Sequence, residues 1–189
     1  RKLCFEGPED SLKLTAHTQP CILATSIATW RVLQAETEIK PSFYAGHSLG
    51  EYSAVVAAEV LDFGRASYLV HQRGTAMQKA VPEGIGAMAA VMNVPADDLL
   101  AKCKDISEEN ATVEVVNFNS PQQLVVAGHK TAVDALCAKL ETDGIRFVML
   151  PVSAPFHSSL MVPAREDMTP LLNESTFTAN DNAVIANLT

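Results

Sequence analysis

Hydrophobic and polar positions follow a helical period over the first part of this chain and a mixed strand and helix pattern after Gly86. Residues 1–17 read as irregular with a single helical turn. Thr18-Gln19-Pro20 reads as a helix start, with Thr18 as the cap and proline in the first turn. That helix is expected to run to Glu36, with Ile22, Ser26, Thr29, Trp30 and Leu33 on one face. Pro41 breaks it, and Ser42 to Ala45 is a short strand candidate. An apolar helix is expected from Leu49 to Val60, hydrophobic on several faces and therefore central. A third helix is expected from Asp62 to Val81-Pro82, with Ala66, Leu69, Val70, Arg73 and Met77 on one face.

Beyond Gly86 the expected elements are short. Ala87–Asn93 reads as strand, Pro95–Lys104 as helix, Thr112–Phe118 and Leu124–Ala127 as strands, Thr131–Asp143 as helix and Arg146–Leu150 as strand. This β-α-β-β-α-β order is the split pattern of a ferredoxin-like unit. It would be inserted between Ser48 and the segment after Pro151. No internal repeat is visible.

Composition narrows the function classes. The 189 residues are 48% hydrophobic and 19% charged, an ordinary balance for a soluble globular protein. No apolar run approaches the roughly 18 residues of a membrane-spanning helix, and nothing reads as a signal peptide. The chain opens at Arg1 in mid-pattern and is expected to be a fragment of a longer protein. A net charge of −8 argues against nucleic acid, which is bound largely through basic residues. Cys4, Cys21, Cys103 and Cys137 match no metal-binding spacing and are expected to be buried or idle thiols in a reducing cytoplasm.

Gly46-His47-Ser48-Leu49-Gly50 is a G-x-S-x-G nucleophile elbow. A strand must turn sharply into a helix so that the serine oxygen projects. Side chains at both flanking positions are expected to collide there, hence two glycines. The helix N-terminus places free N–H groups where negative charge develops, and the Leu49 N–H is the expected oxyanion donor.

A serine nucleophile needs a base. Among the five histidines, His47 adjoins the serine on a tight turn, where neighbouring side chains point apart. His17 and His129 lie in polar surroundings, and His71 lies off the apolar stripe. His157 sits in the apolar loop Ser153-Ala154-Pro155-Phe156-His157-Ser158 after a strand, where catalytic residues gather. A structural histidine remains the alternative. Arg73 lies on the inward stripe of its helix, where a guanidinium must be paired. Its partner is either a structural carboxylate such as Glu51 or the carboxylate of a substrate.

GHSLGEYSA at 46–54, QRG at 72–74 and APFHSSLM at 154–161 resemble the malonyl-CoA:acyl-carrier-protein transacylases of type II fatty acid synthesis. TQP at 18–20, VPEGIGAMAAV at 81–91 and VNFNSPQQLVVAGH at 116–129 are similar to that family too. The resemblance covers nearly the whole chain. It implies an α/β-hydrolase-like core, residues 1–84 and 152–189, carrying a ferredoxin-like subdomain, residues 85–151. It implies Ser48 as nucleophile, His157 as base, Arg73 as the malonyl-carboxylate ligand and Phe156 as a gate on acyl size. His47 joins Arg73 and Phe156 in the expected substrate-binding set. The family's glutamine-bearing oxyanion loop and a histidine-orienting glutamine are expected outside residues 1–189.

The expected reaction is transfer of malonyl from coenzyme A to acyl carrier protein through a malonyl-serine ester, in a cytoplasmic monomer needing no metal or bound cofactor. Two rivals stand beside it. A serine esterase or thioesterase would draw an acid such as Asp134 or Asp143 into a triad. A non-catalytic module that only binds carrier protein would have lost its chemistry by truncation.

Overall fold

The computed structural model of the chain describes residues 1–152 and 154–188; Ser153, in the expected histidine loop, and Thr189 lie outside the described residues. The chain is a mixed α/β protein that divides into two compact units, one of residues 1–76 and 166–189 and one of residues 77–165. The divisions fall inside two helices, α5 and α8 below.

The first unit opens with two short helices, α1 (Lys2–Glu6) and α2 (Glu9–Lys13), and the long α3 (Thr15–Glu36). Residues 1–17 are therefore mostly helical rather than irregular. Leu14, not Thr18, caps α3, and Pro20 lies inside it. The Thr18 hydroxyl donates to the carbonyls of Leu12 and Leu14. As the sixth residue of the helix, Pro20 has no N–H to give to Ala16 O, and His71 Nδ1 contacts that carbonyl at 2.8 Å instead. The buried face of α3 is Gln19, Leu23 and Ile27, whereas Ile22 and Leu33 are exposed. The expected stripe was thus rotated about the helix axis, because the buried face includes a glutamine that a hydrophobic count passes over.

A two-residue strand β1 (Tyr44–Ala45) leads into α4 (Leu49–Ala57). In α4 only Leu49 and Ala54 are buried, so it is less central than its apolar composition implied. Asp62 Oδ1 accepts the Arg65 N–H at 3.0 Å and caps α5 (Phe63–Ala80). Ala66, Leu69, Val70 and Met77 are buried on α5, in agreement with the expected stripe. After α8 (Val162–Asn173) the chain returns along the end of α4. The Thr178 N–H donates to Val60 O, and the Asn180 and Asn182 amides donate to Ala58 O. It ends in β6 (Val184–Ile185), parallel to β1 with Tyr44 opposite Val184 and Ala45 opposite Ile185.

The second unit holds β2 (Gly86–Met92), α6 (Ala96–Ile106), β3 (Val113–Ser120), β4 (Gln123–His129), α7 (Lys130–Thr142) and β5 (Phe147–Met149). The four strands lie in the order β3-β4-β2-β5, each antiparallel to its neighbours. Because side chains alternate across a strand, β2 and β4 serve two apolar faces. Ala89, Val91, Leu124 and Val126 pack with Leu99 of α6 and Leu136 and Leu140 of α7. Met88, Ala90, Val125 and Ala127 form the other face, against Leu150 and Phe156.

Candidate active site

The elbow is built by two opposed requirements. β1 must stop and α4 must start within three residues. Ser48 takes up the turn at φ 53°, ψ −107°, a region costing a non-glycine residue about 1–3 kcal/mol. Gly46 is needed for this, since a Cβ there would stand 2.0 Å from Gly50 O. Gly50 is not needed in the same way, because a Cβ on it meets nothing within 4 Å. The expectation that both glycines relieve a collision holds only for Gly46: the crowding is one-sided, against the Gly50 backbone.

The amides of the turn are distributed in a definite way. The Gly50 N–H donates to His47 O at 2.8 Å and the Glu51 N–H to Ser48 O at 3.1 Å. The Ser48 N–H donates to Asn187 Oδ1 at 2.6 Å. Leu49, the first residue of α4, has no main-chain partner of this kind among the described residues.

Arg73 reaches this serine from α5. One guanidinium nitrogen donates to Ser48 Oγ at 3.1 Å and another to Gln19 Oε1 at 2.6 Å. The guanidinium carbon lies 5.9 Å from the Tyr52 ring centre. Burial pulls its pKa below the ordinary arginine value, while Tyr52 and Glu51 act in the opposite sense. No carboxylate among the described residues lies within ion-pair distance of Arg73. Glu51, the structural partner considered above, instead accepts the Asn187 N–H at 2.9 Å.

Gly74 makes the approach of Arg73 possible. A Cβ there would stand 2.5 Å from Thr15 O and 2.6 Å from Ala16 Cα, so α5 lies directly on the first turn of α3. His71 Nδ1 bonds Ala16 O at 2.8 Å across the same contact, and its ring stacks on His17 at 6.3 Å. Gln19 is thereby held where it meets Arg73, and its own amide donates to Thr15 Oγ1 at 3.0 Å.

His157 belongs to the second unit. It is exposed and adopts φ 67°, within a tight turn closed by Ser158 Oγ donating to Pro155 O at 2.7 Å. The Ser159 N–H donates to Glu114 Oε2 at 3.0 Å, and the Ser159 hydroxyl bonds the other oxygen of that carboxylate. Phe156 is half-buried against the Met88 and Val125 face of the sheet. Three other histidines have structural partners. His17 Nδ1 contacts Ser11 O at 3.0 Å, His71 is bonded as above, and His129 Nδ1 accepts the Thr112 N–H at 3.0 Å. His17 and His129 are half-buried. His47 is exposed beside Ser48.

Residues 2–186 match the family described as acyl transferase domain. The chain belongs to this family. It is 45% identical over 189 residues to a malonyl CoA-acyl carrier protein transacylase of Bacillus subtilis, covering all of this chain and 47% of the relative. It is 46% identical over 187 residues to the Escherichia coli K12 protein of that name, covering 98% of this chain and 60% of the relative. A solved structure of the malonyl CoA-acyl carrier protein transacylase from Coxiella burnetii superposes with a TM-score of 0.95 at 36% identity, over 98% of this chain and 59% of that one. Another, a malonyl-transacylase in complex with its type II PKS acyl-carrier protein, gives 0.94 at 43% identity, over 98% and 60%. The chain spans about half to three-fifths of the length of these relatives.

Within this acyl transferase domain, reasoning from the sequence missed four contributors. Gln19 carried a signal, as a polar residue on the axis of Leu23 and Ile27. Gly74 carried one too, as a glycine inside a helix, which is tolerated where another backbone comes close. Asn187 and Glu114 carried none, because each reaches its partner from a distant segment. No helix among the described residues is long and apolar enough to cross a membrane.

Proposed function

We propose that the protein moves a malonyl group from coenzyme A to the phosphopantetheine thiol of acyl carrier protein, in the cytoplasm, through an ester on Ser48. One observation carries this reading. Among the described residues, the Arg73 guanidinium donates only to neutral acceptors, one of them the oxygen of the elbow serine at 3.1 Å. Among the described residues, two of its five donors are used, by Gln19 and Ser48. A carboxylate entering beside Ser48 exchanges a neutral acceptor for a charged, two-pronged one. In malonyl-CoA the carboxylate carbon and the thioester carbon are separated by one methylene, about 2.5 Å apart. That short reach suits an arginine adjoining the nucleophile and disfavours acyl groups with no carboxylate or a more distant one.

In the reaction, His157 takes the Ser48 proton as the serine attacks the thioester carbon. The Leu49 N–H, at the start of α4, stabilises the oxyanion, and coenzyme A leaves as the thiol. The carrier-protein thiol then attacks the malonyl ester, with His157 again as base. Phe156 and His47 border the acyl group. The names of the relatives support the choice of donor and acceptor. The strand order β3-β4-β2-β5 with α6 and α7 supports a ferredoxin-like subdomain over 85–151, and the β1–α4 elbow supports an α/β-hydrolase-like core over 1–84 and 152–189.

The hydrolase reading has less behind it. Asp134 pairs with Lys130 at 2.6 Å, and Asp143 pairs with Lys102 and Lys139. Both acids are thus engaged on the surface of the second unit. Intact-mass measurement of the full-length protein after brief exposure to malonyl-CoA tests the proposal. A malonyl adduct on Ser48, discharged by carrier protein, is expected. Rapid release of free malonate indicates hydrolysis, and no adduct indicates a binding module.

A further inference from the structure

The elbow has a second support that the proposed chemistry does not use. β1 and β6 pair in parallel only over Tyr44–Val184 and Ala45–Ile185. Continued by two residues, that register sets His47 opposite Asn187. The main chain of the elbow has already left the sheet there, so no backbone ladder can follow it. The side chain of Asn187 takes the place of the missing peptide group. Its Oδ1 accepts the Ser48 N–H at 2.6 Å, and its Nδ2 donates to Gly46 O at 2.6 Å. Its own N–H donates to Glu51 Oε2 at 2.9 Å, which ties it to the first turn of α4.

We propose that Asn187 is a positioning residue for the nucleophile: its carboxamide clamps the Ser48 N–H and the Gly46 carbonyl and so holds Ser48 in its strained turn. The inference rests on Ser48 being the nucleophile. Two consequences follow for the reaction. The clamp fixes the backbone from which Oγ projects, so that its place beside Arg73 is set before substrate arrives. It also consumes the Ser48 N–H, which leaves the Leu49 N–H as the amide of the turn directed to the oxyanion. An asparagine suits this task because it offers one acceptor and one donor on a single planar group. Aspartate in its charged form offers acceptors alone and would set an oxygen against the Gly46 carbonyl.

The test uses the full-length protein, with Asn187→Ala, Asn187→Asp and Ser48→Ala. The readouts are the rate of Ser48 malonylation by intact mass, the KM for malonyl-CoA, and the melting temperature. For Asn187→Ala, maximal loading is expected to fall about 10- to 100-fold, with KM changed by less than about threefold. Asn187→Asp is expected to match the alanine variant at about pH 8. Relative to the natural protein at the same pH, it should recover toward about pH 4, where an aspartate carboxyl of ordinary pKa, about 3.9, is about half protonated and again donates to Gly46 O. A residue needed only for folding would lower the melting temperature without producing that recovery. Natural loading rates in Asn187→Ala, or an aspartate variant with no recovery at low pH, would overturn the inference. The Ser48→Ala control separates the two readings. If it still loads, the nucleophile assignment fails, and the clamp with it. If it is inert while Asn187→Ala loads normally, only the clamp fails.

Discussion

Helix α5 carries two arginines, and their surroundings differ in kind. Arg65 sits near its start, where Nε donates to Ser175 Oγ at 2.8 Å and a terminal nitrogen donates to Leu171 O at 2.7 Å. Its guanidinium lies 5.2 Å from the Tyr68 ring centre. Ser175 Oγ in turn donates to Leu171 O at 2.7 Å, so the acceptors form a closed set within one segment. Arg73, two turns further on, shares its donors between a buried glutamine and the elbow serine. Neither guanidinium is within ion-pair distance of a carboxylate among the described residues. The difference is that the acceptors of Arg65 lie outside the proposed reaction, whereas one acceptor of Arg73 is the oxygen proposed to react. A cation held by neutral groups beside the proposed nucleophile suits an incoming anion. A cation closed over by a hydroxyl and a carbonyl at the end of a helix is a brace.

Removing the oxygen that sets the two sites apart should have the largest effect. Ser48→Ala is expected to lower transfer by on the order of 10⁶, as for other nucleophile deletions, with the fold intact. Intact mass should show no adduct, and retention of more than about a tenth of the rate would show that Ser48 is not the nucleophile.

Arg73→Ala comes next. If the anion it awaits is the malonyl carboxylate, loading should lose roughly 2–5 kcal/mol, about 30- to several-thousand-fold. Acetyl-CoA has no such carboxylate, so acetyl loading should change little or rise. Parallel losses for both substrates, with a lowered melting temperature, would make Arg73 a brace like Arg65 and dissolve the comparison.

Gly74→Ala probes how Arg73 is delivered. The added methyl would meet Thr15 O at 2.5 Å, so α3 and α5 must part. Calorimetry is expected to show a loss of about 1–3 kcal/mol in stability. Malonyl loading should fall further than acetyl loading, because Gln19 and Arg73 separate. An unshifted melting temperature would mean that the seam is looser than this contact requires.

The smallest effect is expected at the other arginine. Arg65→Ala should cost about 1–2 kcal/mol through its lost hydrogen bonds and leave the malonyl-to-acetyl preference unchanged. A thermal melt paired with the two loading assays checks this, and an altered preference would show that the ends of α5 are not independent.

The sequence by itself determined what depends on local spacing. The β2–β5 region was legible as short segments in β-α-β-β-α-β order. The inward stripe of α5 emerged because Ala66, Leu69, Val70 and Met77 repeat at helical intervals. The elbow was legible because a five-residue motif carries the strand, turn and helix start together. Even Arg73 could be placed inward, since its position on that stripe is a local property.

Only the tertiary structure decided the rest. The buried face of α3 is marked by Gln19, whose burial is repaid by Arg73 from another helix, and no hydrophobic periodicity encodes that exchange. Gly50 looked as constrained as Gly46, and only the coordinates of the turn show that one of the two is crowded. Asn187 bonds Gly46 and Ser48 across about 140 residues of chain. Its side chain stands in for a strand that parallel pairing brings alongside but cannot extend around the turn. Contacts of this kind depend on where the fold returns the chain, and composition, period and motif carry no information about that return.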